Sequence, residues 1–125
     1  MLRVMRLTQD RSADRNWIRQ YDAYSITLNE QVVRGPCILS PLHLLAPWPA
    51  TAPAIVSIDD LQAALDLKPK ILLLALPGSA TDLNMDFRRQ LRARAIGLET
   101  MERGAACRTY NVLTDEGRDV VAVFW

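Results

Sequence analysis

The sequence predicts one α/β domain spanning residues 1–125, with three layers, a mixed central β-sheet and an N-terminal β-hairpin. Three observations predict it. Two strand-like runs flank Asn29 and Glu30 in the first half of the chain. Helix-like and strand-like segments alternate through the second half. Between them Ile71 to Leu76 is apolar without interruption, the composition of a short strand covered on both faces. Strand–helix–strand succession gives right-handed crossovers and parallel pairs, whereas a hairpin gives an antiparallel pair. Both together require a mixed sheet.

The elements follow in order. Tyr21 to Leu28 predicts a strand in which Tyr24, Ile26 and Leu28 alternate with Ser25 and Thr27. After the Asn29–Glu30 turn, Gln31 to Ser40 returns as a second strand, bent at Gly35-Pro36. Pro41, Pro47, Pro49 and Pro53 exclude a regular helix or central strand from the next stretch. Leu42, Leu44, Leu45 and Trp48 suit a loop packed across the domain. Ser57 and Asp60 form a capping-box spacing before a helix whose inward residues are Ile58, Leu61, Ala64 and Leu65, and Pro69 stops it. A second helix is expected over 84–95, with Phe87, Leu91 and Leu98 inward, and a strand over 98–101. A third helix is expected over 104–115, closed by Gly117 at the position that favours a left-handed residue. Its apolar arc, with Ala106, Tyr110 and Leu113 beside Ala105, Thr109 and Val112, is broad enough to be buried on more than one flank. The run from Arg118 to Trp125 ends the chain as an apolar strand.

Half of the residues are hydrophobic and 23% are charged, a globular mixture that excludes a wholly disordered chain. Fifteen Lys plus Arg against fourteen Asp plus Glu give a formal net charge of +1, which removes the broad basic footprint of a nucleic-acid binder. No apolar run approaches the roughly 18 residues of a membrane span. One histidine, His43, and two distant cysteines, Cys37 and Cys107, offer no metal-ligand spacing, and no cofactor motif is present. Arg3 and Arg6 interrupt any signal-peptide core, and Asp10 and Asp14 argue against a mitochondrial presequence in the arginine-bearing start. A cytoplasmic location with reduced thiols is expected.

No paired catalytic groups emerge, so no catalytic residue is assigned. The Pro77–Thr81 turn, with Gly78 and Ser79, precedes a helix start and could receive an anion, although it matches no phosphate-loop motif. Cys107 and Arg108 lie near the start of the third helix; the thiol is expected to be packed and inert. Tyr110 and Asn111 require hydrogen-bond partners if buried, which implies a fixed polar network. Arg88, Arg89, Arg92 and Arg94 suit a solvated helix exterior. Asp115 and Glu116 would diverge by about 100° on a helix, poor geometry for an acid–base pair.

The stretch from Glu99 to Trp125 resembles a known family through Met101, Ala105, Ala106, the Thr109-Tyr110-Asn111 triplet, Glu116-Gly117-Arg118 and the apolar final strand. Asn16, Ile18, Tyr21, Ile26 and Asn29 resemble the family's first strand, and the buried 71–74 run with Ile96-Gly97 also fits. This is the small domain shared by mitochondrial respiratory complex I assembly factor 3, the adipogenesis-associated domain protein and many uncharacterised microbial proteins. Two departures stand out. Ala75, Leu76 and Pro77 replace a Gly-Thr-Gly turn common among relatives, and Arg103 replaces a common threonine.

The resemblance implies a three-layer α/β fold and no established enzymatic activity. The resulting expectation is a non-enzymatic interaction or assembly module with a protein partner, by resemblance a respiratory-complex component or assembly factor, and with no nucleic-acid role or transmembrane segment. The alternative is a small-molecule or anion-binding protein, or an enzyme, using the 77–81 turn and the 107–111 helix start. Its candidate ligand- or partner-binding residues are Gly78, Ser79, Cys107, Arg108, Tyr110 and Asn111.

Overall fold

The computed structural model describes residues 15–48, 55–76, 82–83 and 85–125. Its frame is a five-stranded sheet of β4 (Cys37–Leu39), β5 (Leu44–Leu45), β7 (Ile71–Ala75), β9 (Gly97–Met101) and β10 (Val120–Phe124). The spatial order is β5-β4-β10-β7-β9. β10, β7 and β9 are parallel, while β4 runs antiparallel to β10 and β5 antiparallel to β4. β4, β7 and β10 are made only of apolar residues, are flanked on both edges and are wholly buried. β9, at the edge, is largely exposed and carries Glu99 and Thr100.

Side-chain alternation sends the sheet's apolar residues into two cores. Leu72, Leu74, Val121 and Val123 face Ile58, Leu61, Leu65, Phe87 and Leu91. These come from a 3-10 turn (Asp59–Leu61) leading into α1 (Gln62–Leu65), and from α2 (Met85–Ala93). Burying Phe87 or Leu91 contributes about 1.5–3 kcal/mol each. On the other face Leu73, Ala75, Ala122 and Phe124 meet Ala106, Cys107 and Tyr110 of α3 (Arg103–Asp115). The layers are therefore α1 and α2, the mixed sheet, then α3 with a small second sheet. This is the predicted three-layer architecture.

The second sheet holds β1 (Gln20–Tyr21), β2 (Ser25–Thr27) and β3 (Val32–Arg34), all antiparallel. The expected hairpin is β2–β3, closed by Leu28 N–H donating to Gln31 O at 2.8 Å. The expected continuous strand from Tyr21 is instead broken. Asp22 accepts the amides of Tyr24 and Ser25 at 2.8 and 2.7 Å, turning the chain so that β1 doubles back on β2. Tyr24 therefore sits on the turn, 78% exposed, and not on the inward face with Ile26. Gly35, at φ +81°, makes the bend where the chain leaves the small sheet for the central one, a conformation that glycine adopts freely.

Ser57 and Asp60 form the expected reciprocal cap: Ser57 N–H donates to Asp60 Oδ2 at 2.9 Å and Asp60 N–H to Ser57 Oγ at 3.3 Å. Among its described residues, the proline-rich stretch places only Leu44–Leu45 in the central sheet, at its edge. Trp48 packs 5.5 Å from Trp125 between ring centroids, but Leu42 is exposed, so the loop covers the domain at Trp48 and not at Leu42. Leu98 belongs to β9 and not to the second helix. One further pairing, β6 (Ile55–Val56) with β8 (Asp82–Leu83), is parallel.

Candidate functional site

α3 begins one residue before the expected start, with Glu102 as its cap. The Glu102 carboxylate accepts the amides of Gly104 (2.8 Å) and Ala105 (2.5 Å). Those donors would otherwise be free for a bound anion. The helix thus caps itself, and an external carboxylate or phosphate would have to displace Glu102 to use them. Sequence reading passed over Glu102, although an acidic residue just ahead of Gly104-Ala105-Ala106 is a recognisable cap signal.

One flank of α3 is held by the chain segment that leads into β1. Tyr110 is fully buried and its hydroxyl donates to Asn16 O at 2.9 Å. Asn111 Oδ1 accepts the Ile18 amide at 3.0 Å, and its Nδ2 donates to Ile18 O at 2.8 Å. A single side chain thereby meets both hydrogen-bonding groups of one residue, as a neighbouring strand would. Further along, Arg108 Nη1 donates to Tyr21 Oη at 2.7 Å. Residues 16–21 consequently run antiparallel to α3. A Cβ on Gly104 would lie 3.0 Å from Tyr21 Oη and 3.1 Å from Glu102 Oε1, so any larger residue there would push these side chains back by a few tenths of an ångström. The Thr109-Tyr110-Asn111 triplet and the Asn16–Tyr21 segment are two parts of one structural clamp.

A cleft of about 350 Å³ opens where Tyr21, Asp22 and Ala23 face Glu102, Arg103, Gly104 and Arg108. Most of its polar groups are engaged, but Arg103 Nη1 is buried without a hydrogen-bond partner among the described residues. Asp22 is held below the usual carboxylate range, chiefly by the Tyr24 amide and then by the Ser25 hydroxyl. Arg108 bridges Tyr21 and, at 3.9 Å, Glu102. Arg103 Nη2 donates to Trp125 O at 3.0 Å, and its guanidinium lies 5.6 Å from the centre of the Phe124 ring.

Of the candidate residues, Arg108 lines the exposed cleft, Tyr110 is in the core, and Asn111 is half-buried in the clamp. Cys107 is buried against the sheet, where desolvation pushes its thiol up to about 12 despite the Arg103 charge. Burial likewise lifts Cys37 to about 11. Both thiols are free. Gly78 and Ser79, with the rest of the Pro77–Thr81 turn, lie outside the described residues. Val112 is 55% exposed, so α3 is buried along a narrower arc than its composition suggested. Asp115 and Glu116 are both exposed at the helix end. Among the described residues no group of three or more His, Cys, Asp or Glu is placed to hold a metal ion. Nor is any helix among them long and apolar enough to cross a membrane.

This fold and sequence have known counterparts. The chain is 30% identical to NADH dehydrogenase (ubiquinone) 1 alpha subcomplex assembly factor 3 of Danio rerio over 81% of its own length, and 29% identical to that of Homo sapiens over 90%. It spans 59% and 61% of the lengths of those relatives. A solved Xanthomonas campestris protein is 33% identical with a TM-score of 0.74, covering 87% of this chain and 83% of its own. A Bordetella parapertussis protein is 32% identical with a TM-score of 0.76, covering 88% and 94%. A Bordetella pertussis protein described as an Mth938-like domain is 27% identical with a TM-score of 0.73, covering 87% and 84%. Residues 18–125 match the family described as protein of unknown function (DUF498/DUF598), from the segment that clamps α3 through the last strand, and the chain belongs to that family.

Proposed function

We propose that the chain acts as one domain, a non-enzymatic interaction or assembly module serving a respiratory complex. The observation that carries this reading is the 29–30% identity to complex I assembly factor 3 over most of this chain. The chemistry of α3 supports it. Tyr110 and Asn111 hold backbone, Glu102 caps the helix, and desolvation keeps Cys107 protonated, so these groups serve structure. The partner surface is the rim of the cleft, where Tyr21 (40% exposed) and Arg108 present an aromatic ring and a guanidinium, two side chains enriched at interface hot spots. Tyr24, more exposed still, extends that rim across the β1–β2 turn. Two free thiols suit a reducing compartment, and we place the protein in the cytoplasm.

The test is affinity purification of the tagged native protein from its own cells. Subunits or assembly factors of a membrane NADH dehydrogenase should co-purify in stoichiometric amount. Arg108→Glu combined with Tyr24→Ala should abolish that capture while leaving the thermal midpoint within a few degrees. Parent protein that purifies without such subunits, or double-variant protein that captures them undiminished, would overturn the reading or its surface.

A further inference from the structure

At the other end of the sheet a second site is built from groups the clamp does not use. β10 runs from Val120 to Phe124, so its start lies about 13 Å from the Phe124 end against which Arg103 packs. A cavity of about 350 Å³ opens at that start, lined by Arg15, His43, Lys68, Arg118 and Asp119 among others. Three permanent cations therefore meet one carboxylate, in a chain whose formal net charge is only +1. The Arg118 contact to Glu116, 3.6 Å and half-exposed, neutralises little of that excess.

The walls are fixed before any ligand arrives. Asn16 Nδ2 donates to Ser40 O at 2.9 Å and to His43 O at 3.1 Å. The His43 amide donates to Ser40 Oγ at 3.1 Å, which leaves the Ser40 hydroxyl proton as a donor. Lys70 N–H donates to Asp119 O at 2.8 Å, tying the entry of β7 to that of β10.

A smaller cavity of about 160 Å³, which shares Arg15 and Gly117 with the first, is lined by Trp17, Thr114 and a second carboxylate, Asp115, so the two cavities together hold three cationic side chains against two acidic ones. Trp17 Nε1 is buried and has no hydrogen-bond partner among the described residues, whereas the Thr114 hydroxyl lies against that of Tyr110. Thr114 as a whole is only 3% exposed. Buried polar atoms without partners are rare in folded proteins, because each costs the free energy of its lost hydration. Beside a cationic cavity, the Trp17 Nε1–H is a donor awaiting an acceptor-rich molecule.

We propose that this double cavity binds a small phosphate-bearing anion. Arg15, Lys68 and Arg118 supply the charge, and Ser40 and Trp17 supply directed O–H and N–H donors. Phosphate oxygens accept several such bonds at once, and arginine forks match their geometry. The volume suits a small metabolite.

Titration of the ¹⁵N-labelled full-length protein with pyrophosphate tests this, with inorganic phosphate and citrate as separate arms. Pyrophosphate should give saturable shifts at Ser40, Trp17 Nε1–H, Lys68 and Val120, with half-saturation below about 1 mM at physiological salt. Inorganic phosphate should compete for the same resonances more weakly. Arg15→Ala should weaken pyrophosphate about tenfold or more. Trp17→Phe, which removes the indole N–H and keeps an aromatic ring, should weaken binding while leaving the free protein folded. Three results would overturn the assignment: citrate saturating where pyrophosphate does not, shifts confined to the arginines of α2, or undiminished affinity in both variants.

Discussion

Replacing Tyr110 is the sharpest test of the clamp. Its ring is fully buried between α3 and the central sheet, and its hydroxyl donates to Asn16 O. Truncating a buried aromatic to alanine costs about 3–5 kcal/mol through lost transfer energy and the cavity left behind. The lost hydrogen bond accounts for about 1 kcal/mol of this. Tyr110→Ala should therefore destabilise the protein by about 4 kcal/mol, a large fraction of the roughly 5–15 kcal/mol that a domain has in total. With a urea slope of about 2 kcal/mol per molar, the midpoint falls by about 2 M. Tyr110→Phe keeps the ring and removes only the hydroxyl, so its midpoint should fall by about 0.5 M. Equilibrium urea melts followed by far-ultraviolet circular dichroism measure both. An alanine variant that melts with the parent would place the ring outside the core. A phenylalanine variant as damaged as the alanine one would show that packing is not the main contribution.

The other tests are quicker to state. Asn111→Leu leaves the Ile18 amide and carbonyl without their partner, so it should cost about 1–3 kcal/mol and speed hydrogen exchange at the Ile18 amide; unchanged exchange there would exclude the pairing. Cys107 in the native protein should resist iodoacetamide at pH 7 and label readily in denaturant, because desolvation lifts its thiol to about 12; rapid native labelling would contradict the burial. Cys37 and Cys107 keep protons up to about 11 and 12 when folded but lose them near 9.0 when unfolded. Their contribution to stability is therefore complete below pH 9 and declines as pH rises through those values, by roughly 1.4 kcal/mol per pH unit for each thiol. The Cys37→Ala, Cys107→Ala double variant should flatten that alkaline decline, and an unaltered pH profile would remove the thiols from it. Arg88, Arg89 and Arg92 should confer no micromolar affinity for single- or double-stranded oligonucleotides, since all three are exposed and Arg89 already faces Asp86 at 3.6 Å; salt-dependent binding lost on their replacement by alanine would refute this.

Elements written into short-range pattern were legible in the sequence. Ile71 to Leu76 has no polar residue to offer solvent, so a covered strand is the one environment that suits it, and β7 lies between β10 and β9. Gly117 closes α3 at φ +75°, the backbone state that its position after the helix required. The break at Asp22 was harder to read. Tyr24, Ile26 and Leu28 have strand periodicity whether or not the chain turns before them, and only the amides of Tyr24 and Ser25 converging on one carboxylate reveal the turn. Val112 illustrates the same limit. An apolar residue fits a helical arc in sequence, but which flank the neighbouring strand covers is decided by how residues 16–21 pass along α3.

The polar residues of α3 carry the larger lesson. Tyr110 and Asn111 are hydroxyl and amide groups on a helix near the ends of parallel strands, which is also where α/β proteins assemble ligand sites. A sequence cannot distinguish a side chain that binds a ligand from one that binds backbone more than ninety positions away, because the donors and acceptors are the same. The spatial partner decides. Here the acceptor is Asn16 O, and the amide's partner is Ile18 on both of its bonds, so neither group is left to face a ligand. Thr114 stands on the same helix, one turn beyond Tyr110, and is a less conspicuous residue in the sequence. Its hydroxyl lies against that of Tyr110, and the unpartnered donor beside the cavity that Arg15 shares with Lys68 and Arg118 is Trp17 Nε1. Arg103 Nη1 is likewise buried without a partner among the described residues, so unmet hydrogen-bonding capacity, and not polarity itself, marks a place at each end of α3.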